Sequence, residues 1–191
     1  YNNYYPPFDG CNNLSSIFIS DTVQSLPQYA FRGLPALKNV SFGSDLQFIP
    51  YQCFYDCNGL KNINITSPVT SIGDYAFCHC DSLETVGLPS TLLSIGMYAF
   101  SNCYGLTSIP LPNSLTHIYD YAFANSGIPS VNIPSHVSHI YTYAFRNCSR
   151  LATLYWDAQN SSYYYNANSI QNDNYNNYYP PFDGCNNLSS I

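Results

Sequence analysis

Eight cysteines and four histidines are the side chains of this chain best suited to chemistry, and their spacing decides what chemistry is open to them. Cys78-His79-Cys80 resembles half of a zinc site, but no second pair follows at ligand spacing, so no metal site is read there. His117 and His139 hold the same position in successive repeats, with His136 three residues before His139. Their rings could approach bridging range, yet a third ligand is missing, and the pair reads as a polar ladder continuing Ser71 and Ser94. Asp74 and Asp120 stand two repeats apart with Met97 between them, a separation that suits solvated carboxylates at the coil edge better than paired acid–base work. Serine is abundant, but neither a Gly-x-Ser-x-Gly elbow nor a Ser/His/Asp arrangement can be placed. The sequence therefore assigns no catalytic, cofactor-binding or metal residues and reads as non-enzymatic.

The elements that would carry these side chains are written as a repeat. Tyr-Ala-Phe ends at Phe31, Phe77, Phe100, Phe123 and Phe145, and Phe8, Phe54 and Phe182 are variants of the same position. The Phe spacing is 23 residues from Phe8 to Phe123, then 22 to Phe145 and 37 to Phe182. Other columns keep step: Leu14, Leu37, Leu60, Leu83, Leu106, Ile128, Leu151, and three residues beyond each the strand column from Ile17 to Leu154. Apolar residues two apart in that column are strand alternation, and a Leu/Ile ladder of this period is the signature of a leucine-rich solenoid. The expected fold is a β-rich leucine-rich repeat solenoid, a right-handed coil of 22–23-residue repeats with parallel sheets and short helical or 3-10 turns at Tyr-Ala-Phe. All eight Phe of the column are expected in the core.

The repeat Val69-Thr-Ser-Ile72-Gly-Asp-Tyr-Ala76-Phe77-Cys-His-Cys80-Asp-Ser-Leu83-Glu-Thr-Val86-Gly-Leu88-Pro89 resembles the BspA-like leucine-rich repeats of microbial and protist surface proteins. The resemblance covers about residues 8 to 157 and resumes at Pro181. It implies a secreted or cell-surface protein used in adhesion, binding host protein or glycan through its concave sheet, and it supplies no catalytic residues.

A longer period overlies the short one. Residues 175–191 repeat residues 1–17 without a change, 174 positions later, so the chain reads as a window of a tandem array with seven coils per unit. The expected organisation is leucine-rich coils over 1–157, a Tyr/Asn-rich insertion over 158–180, and the start of the next unit over 181–191. Tyr163, Tyr164, Tyr165, Tyr178 and Tyr179 are expected to pack on a neighbouring coil or subunit, because Tyr joins apolar area to a hydroxyl.

Only 8% of the residues are charged, against about 25% in typical soluble domains. Hydration must then come from amides, hydroxyls or attached sugar. Asn13, Asn39, Asn64, Asn147, Asn160 and Asn187 each head an Asn-x-Ser/Thr triplet and are candidate glycosylation sites. With five Lys and Arg there is no basic stripe for nucleic acid, and no apolar run is long enough for a membrane span. Cys11, Cys57, Cys80, Cys103, Cys148 and Cys185 share a column that accepts Leu34 and Ser126, and Cys53 replaces the Ala before a core Phe; all read as buried thiols rather than disulfides. Cys78 alone is expected to face outward. Taken together, these readings give an extracellular or cell-surface, non-catalytic structural protein. Its expected partners are further units along the solenoid axis, by self-association or covalent continuation, with attached glycans and a surface protein or glycan ligand as the adhesin alternative.

Overall fold

The computed structural model describes residues 6–158, 162–164 and 180–188. Two ladders of parallel strands run along it. The first comprises β1 (Ser16–Phe18), β2 (Asn39–Ser41), β4 (Asn62–Asn64), β6 (Thr85–Gly87), β9 (Ser130–Ile133) and β11 (Thr153–Trp156). The second comprises β3 (Phe48–Ile49), β5 (Ser71–Ile72), β7 (Ser94–Ile95), β8 (His117–Ile118), β10 (His139–Tyr141) and β12 (Ser162–Tyr164), hydrogen-bonded in the order β12-β10-β8-β7-β5-β3. Every pairing keeps the repeat register, as in Ile17↔Val40, Ile63↔Val86 and Ile95↔Ile118. The first ladder is cut into three pairs, β1-β2, β4-β6 and β9-β11. Between β6 and β9 the chain contributes the single bridge Thr85↔Ser108, where Pro110 and Pro112 remove backbone donors that a strand would need. The result is the expected parallel β-solenoid.

The helical turn expected at Tyr-Ala-Phe is not helical: among the described residues no helix forms. Two residues per turn lie in the left-handed region four positions apart, Tyr75 and His79 (φ 57° and 60°), Tyr98 and Asn102 (55° and 61°), Tyr121 and Asn125 (56° and 59°). A right-handed helix cannot pass through such positions. Instead alternate N–H groups donate to the following coil, as Tyr75 N to Met97 O (2.8 Å), Phe77 N to Ala99 O (2.8 Å) and His79 N to Ser101 O (3.0 Å). The turns thus form a third inter-coil ladder. A left-handed residue costs about 1–2 kcal/mol, and the bonds to the next coil offset it. The second left-handed column is filled by Gly10, Gly33, Asp56, His79, Asn102, Asn125, Asn147 and Gly184, types that tolerate this region.

The three ladders enclose one core. Phe54, Phe77, Phe100, Phe123 and Phe145 are fully buried and stack at 5.0–5.5 Å between centroids, nearly parallel. Truncating one of them to Ala should cost about 3–5 kcal/mol. The thiols of the Cys column tie coils together: Cys57, Cys80 and Cys103 donate to the carbonyls of Phe31, Phe54 and Phe77 at 3.1–3.2 Å. Phe8 departs from the core expectation and is 40% exposed, because no coil lies before it among the described residues.

The second ladder also locates the extra residues of the long repeat. Tyr163 pairs in register with Ile140, and Tyr164 with Tyr141, so β12 continues the ladder inside the stretch 158–180. Ile140 precedes Phe145 by five residues while Tyr163 precedes Phe182 by nineteen, which places all fourteen extra residues between β12 and the next Phe turn.

Candidate functional site

Three places bring functional side chains together. The first is where the repeated segment meets the coil before it. Phe182 stacks on Phe145 at 5.0 Å with an interplanar angle of 6°, and the edge of Trp156 approaches it at 6.4 Å. Phe145 N donates to Pro181 O (2.8 Å) and Asn147 N to Asp183 O (2.7 Å), continuing the turn ladder across the insertion. Cys185 Sγ donates to Phe145 O at 3.1 Å, and Asn187 Nδ2 to Ser149 O. Arg146 Nε lies 3.4 Å from Asp183 Oδ2, an ion pair without hydrogen-bond geometry, and its guanidinium covers the Tyr143 ring at 4.5 Å.

The earlier copy of this segment has the same local shape and a different environment. Asp9 N to Pro6 O, Cys11 N to Phe8 O and Leu14 N to Cys11 O reproduce the bonds Asp183 N to Pro180 O, Cys185 N to Phe182 O and Leu188 N to Cys185 O, all within 3.0–3.3 Å. Gly10 and Gly184 share φ near the same value, 78° and 73°. Yet Cys11 is exposed and Cys185 buried. The first copy packs under its successor, Phe8 on Phe31 at 5.7 Å, and the second on its predecessor.

The second place is the outer surface of the first ladder. Lys38, Asn39, Asn62, Asn64, Thr85 and Gly87 surround a groove of about 440 Å³ floored by Val40 and Ile63, at the break between β2 and β4. Phe18 at one end of this surface is 83% exposed and Tyr155 at the other 60%. Amides and a lysine around an apolar floor can hydrogen-bond a polar ligand. Sequence reading picked Asn39 and Asn64 from this groove and missed Lys38, Asn62 and Thr85, whose only signal is their place beside the same strand column.

The third place is the face of the second ladder. His117 and His139 stack at 4.6 Å and 4°, with Tyr119 on Tyr141 at 4.7 Å beside them. His117 Nδ1 lies 2.8 Å from Thr116 Oγ1, and His139 Nδ1 2.8 Å from Ser138 Oγ. Burial, and then the neighbouring His139, hold the His117 ring below the usual histidine range. His136 is exposed beside Ser135 and joins neither ring. Among the described residues no group of three His, Cys, Asp or Glu could hold a metal ion. Asp74 is exposed and accepts from Met97 N at 2.8 Å, whereas Asp120 is buried, which raises its carboxyl above the ordinary range.

The cysteines require two corrections. Cys78 was expected to face outward, but it is 3% exposed, and burial pushes its thiol up to about 12. A small side chain in its column is overshadowed by larger neighbours: Asn102 Nδ2 lies 3.1 Å from His79 Nε2, and Tyr55 meets His79 at 5.6 Å, both beside it. Cys11, read from its column as a buried thiol, is exposed, because no coil lies before it among the described residues, and Cys53, Cys57, Cys80, Cys103, Cys148 and Cys185 are buried and unbridged. Asn13, Asn39, Asn64, Asn147 and Asn187 are exposed. Asn160, Tyr165, Tyr178 and Tyr179 lie outside the described residues, and Tyr163 and Tyr164 are described as backbone in β12.

Comparisons with known proteins agree with this architecture. Several solved structures share the fold. One is a leucine rich cell surface protein from Faecalibacterium prausnitzii, 35% identical with a TM-score of 0.71, covering 76% of this chain and 40% of that one. Another is the leucine-rich repeat protein of T. pallidum, 29% identical with a TM-score of 0.68, covering 73% and 68%. A third, from Bacteroides ovatus, is 27% identical with a TM-score of 0.64, covering 91% and 38%. The chain thus spans about two fifths of the length of the first and third of these relatives. No curated protein matches it. The BspA type leucine rich repeat model matches residues 5–92 and 70–189, in six copies, and with the three ladders in place the chain belongs to that family.

Proposed function

We propose that this chain is a non-catalytic structural segment of an extracellular or cell-surface fibre, in which the 174-residue unit repeats and the solenoid runs on through each copy of the duplicated segment. The observation that carries this is the pair of complementary environments: one copy is seated on its predecessor coil, the other packs under its successor, and both keep the same backbone shape. Were one copy to serve both roles, the core would run from Phe145 through Phe182 to the counterpart of Phe31. Solenoids stop growing where polar capping repeats cover the apolar layer, and this segment instead presents an apolar ring on each side. Sugar on the exposed acceptor triplets would supply hydration that 8% charge does not.

Seven coils at about 4.7–4.9 Å each advance roughly 34 Å. Averaged electron micrographs of native material should therefore show filaments with an axial repeat of roughly 30–45 Å once the insertion is allowed for. Discrete particles with closed ends would sink the fibre reading. They would favour the second one, an adhesin binding a surface protein or glycan through the groove beside Asn39, Asn62 and Asn64, which the exposed Phe18 and the amide-lined cavity support.

A further inference from the structure

We propose that the coil face of Phe145, Arg146, Asn147 and Trp156 is a selective seat for a second copy of this chain, taking that copy's residues 7–13 in place of its own 181–187, with Arg146 as the register key. The seat's use in an assembly rests on the fibre reading; its selectivity is a property of the side chains alone.

Any turn of the solenoid could in principle stack on any other, since all present a Phe and a row of backbone groups. One column discriminates. The residue after the Phe is Asp9, Arg32, Tyr55, Cys78, Ser101, Ala124, Arg146 and Asp183 through the chain. Only Asp9 and Asp183 carry a carboxylate there, and Asp183 meets Arg146 at 3.4 Å. Arg32, the other cation of the column, leans over the Tyr55 ring at 4.8 Å. A plug slid back by one, two or three coils would place its Asp beside Ala124, Ser101 or Cys78, none of them charged to match.

The second column does not select. Asn147 Oδ1 lies over the Cα of Gly184, but one and two coils earlier Asn147 Nδ2 donates to Asn125 Oδ1 and Asn125 Nδ2 to Asn102 Oδ1, so a Cβ in this column is accommodated. Charge makes the choice: Pro7-Phe8-Asp9-Gly10-Cys11 and its copy are the turns that carry a carboxylate to Arg146, whereas the Gly33 turn brings Arg32 against it. Gly10 has nothing within 4 Å of its missing Cβ. The segment is preformed, since the bonds donated by residues 9, 11 and 14 recur at residues 183, 185 and 188 in the seated copy. That lowers the ordering cost of docking.

The seated thiol supplies the readout. Cys148 and Cys185 hold the same column in adjacent coils, their thiols donating to Phe123 O and Phe145 O at 3.1 Å, so Cys11 of a second copy in the same place would lie one coil spacing, about 4.8 Å, from Cys148 and within disulfide reach. Isotope-labelled and unlabelled chains are mixed, oxidised mildly with diamide and mapped by mass spectrometry. The native chain should give mainly Cys148–Cys185 links. Asp183→Arg sets its own plug against Arg146 while leaving Asp9 intact, and should raise intermolecular Cys148–Cys11 links by roughly three- to tenfold, the scale of an exposed ion pair exchanged for a repulsion. Adding Asp9→Arg should remove that gain, and Arg146→Glu with Asp183→Arg should return the links to Cys185. Absence of Cys148–Cys11 links in Asp183→Arg would overturn the second-copy occupant, and yields indifferent to the charges would overturn the key. Cross-linked chains without filaments in micrographs would sink the fibre and leave the seat standing.

Discussion

Burial raises the thiols of Cys57 and Cys78 to about 12 and that of Cys103 still further. Since the thiolate is the nucleophile, these groups are inert at neutral pH as well as shielded. Alkylation of the native, non-reduced chain should therefore modify Cys11 first, with Cys78 among the slow group, followed by peptide mapping at increasing times. Early labelling of Cys78 would show that the Asn102 and Tyr55 side chains do not cover it in solution. The column itself, with its Leu34 and Ser126 substitutes, is legible in sequence. The burial of Cys78 is not, because it depends on how far side chains of the adjacent coils lean.

At the scale of strands, stacking in register makes neighbours of residues that the sequence places 22 or 23 positions apart. β8 and β10 bring His117 and His139 to 4.6 Å, where two imidazolium charges would repel and burial already disfavours one. The folded His117 pKa is depressed, so the unfolded chain binds the extra proton. The stability contributed by the neutral ring is fully present above its unfolded pKa of about 6.5 and is lost as pH falls through the lower folded value. Urea midpoints should drop between pH 7 and pH 5, and His117→Ser, which restores the residue type of Ser94, should flatten that drop. An unchanged slope would mean that the acid sensitivity arises elsewhere. The turns teach a related lesson: Tyr-Ala-Phe holds Ala, the best helix former, but a coil with a matching neighbour bonds outward, and the local preference gives way.

For the whole molecule, surface hydration is the outstanding physical requirement. The acceptor amides differ in how free they are: Asn147 Nδ2 donates to Asn125 Oδ1 at 3.3 Å and Asn187 Nδ2 to Ser149 O, whereas Asn64 is exposed on β4 beside Gly87. Glycopeptide mapping of native protein should find sugar at Asn64 and less at Asn39, whose Nδ2 donates to Ser16 Oγ at 3.4 Å, or at Asn147 and Asn187. An intact mass equal to the bare polypeptide would end the glycoprotein reading. Sugar at Asn39 or Asn64 would also fill the mouth of the groove, so full occupancy there excludes ligand binding through it.

The repeat period, the core columns and the parallel strands could all be read from the chain, because a solenoid contacts only its sequence neighbours and each column is a direct record of one stacked position. The family resemblance rests on those same columns. What only the tertiary structure decided are the features that depend on a particular pair of adjacent coils: the left-handed turns bonded forward in place of helices, the fourteen extra residues placed after β12, the groove at the β2/β4 break, and the meeting of Arg146 with Asp183 across an insertion. Each arises where backbone donors or side chains must be satisfied by the next coil, and that requirement has no signature within a single repeat.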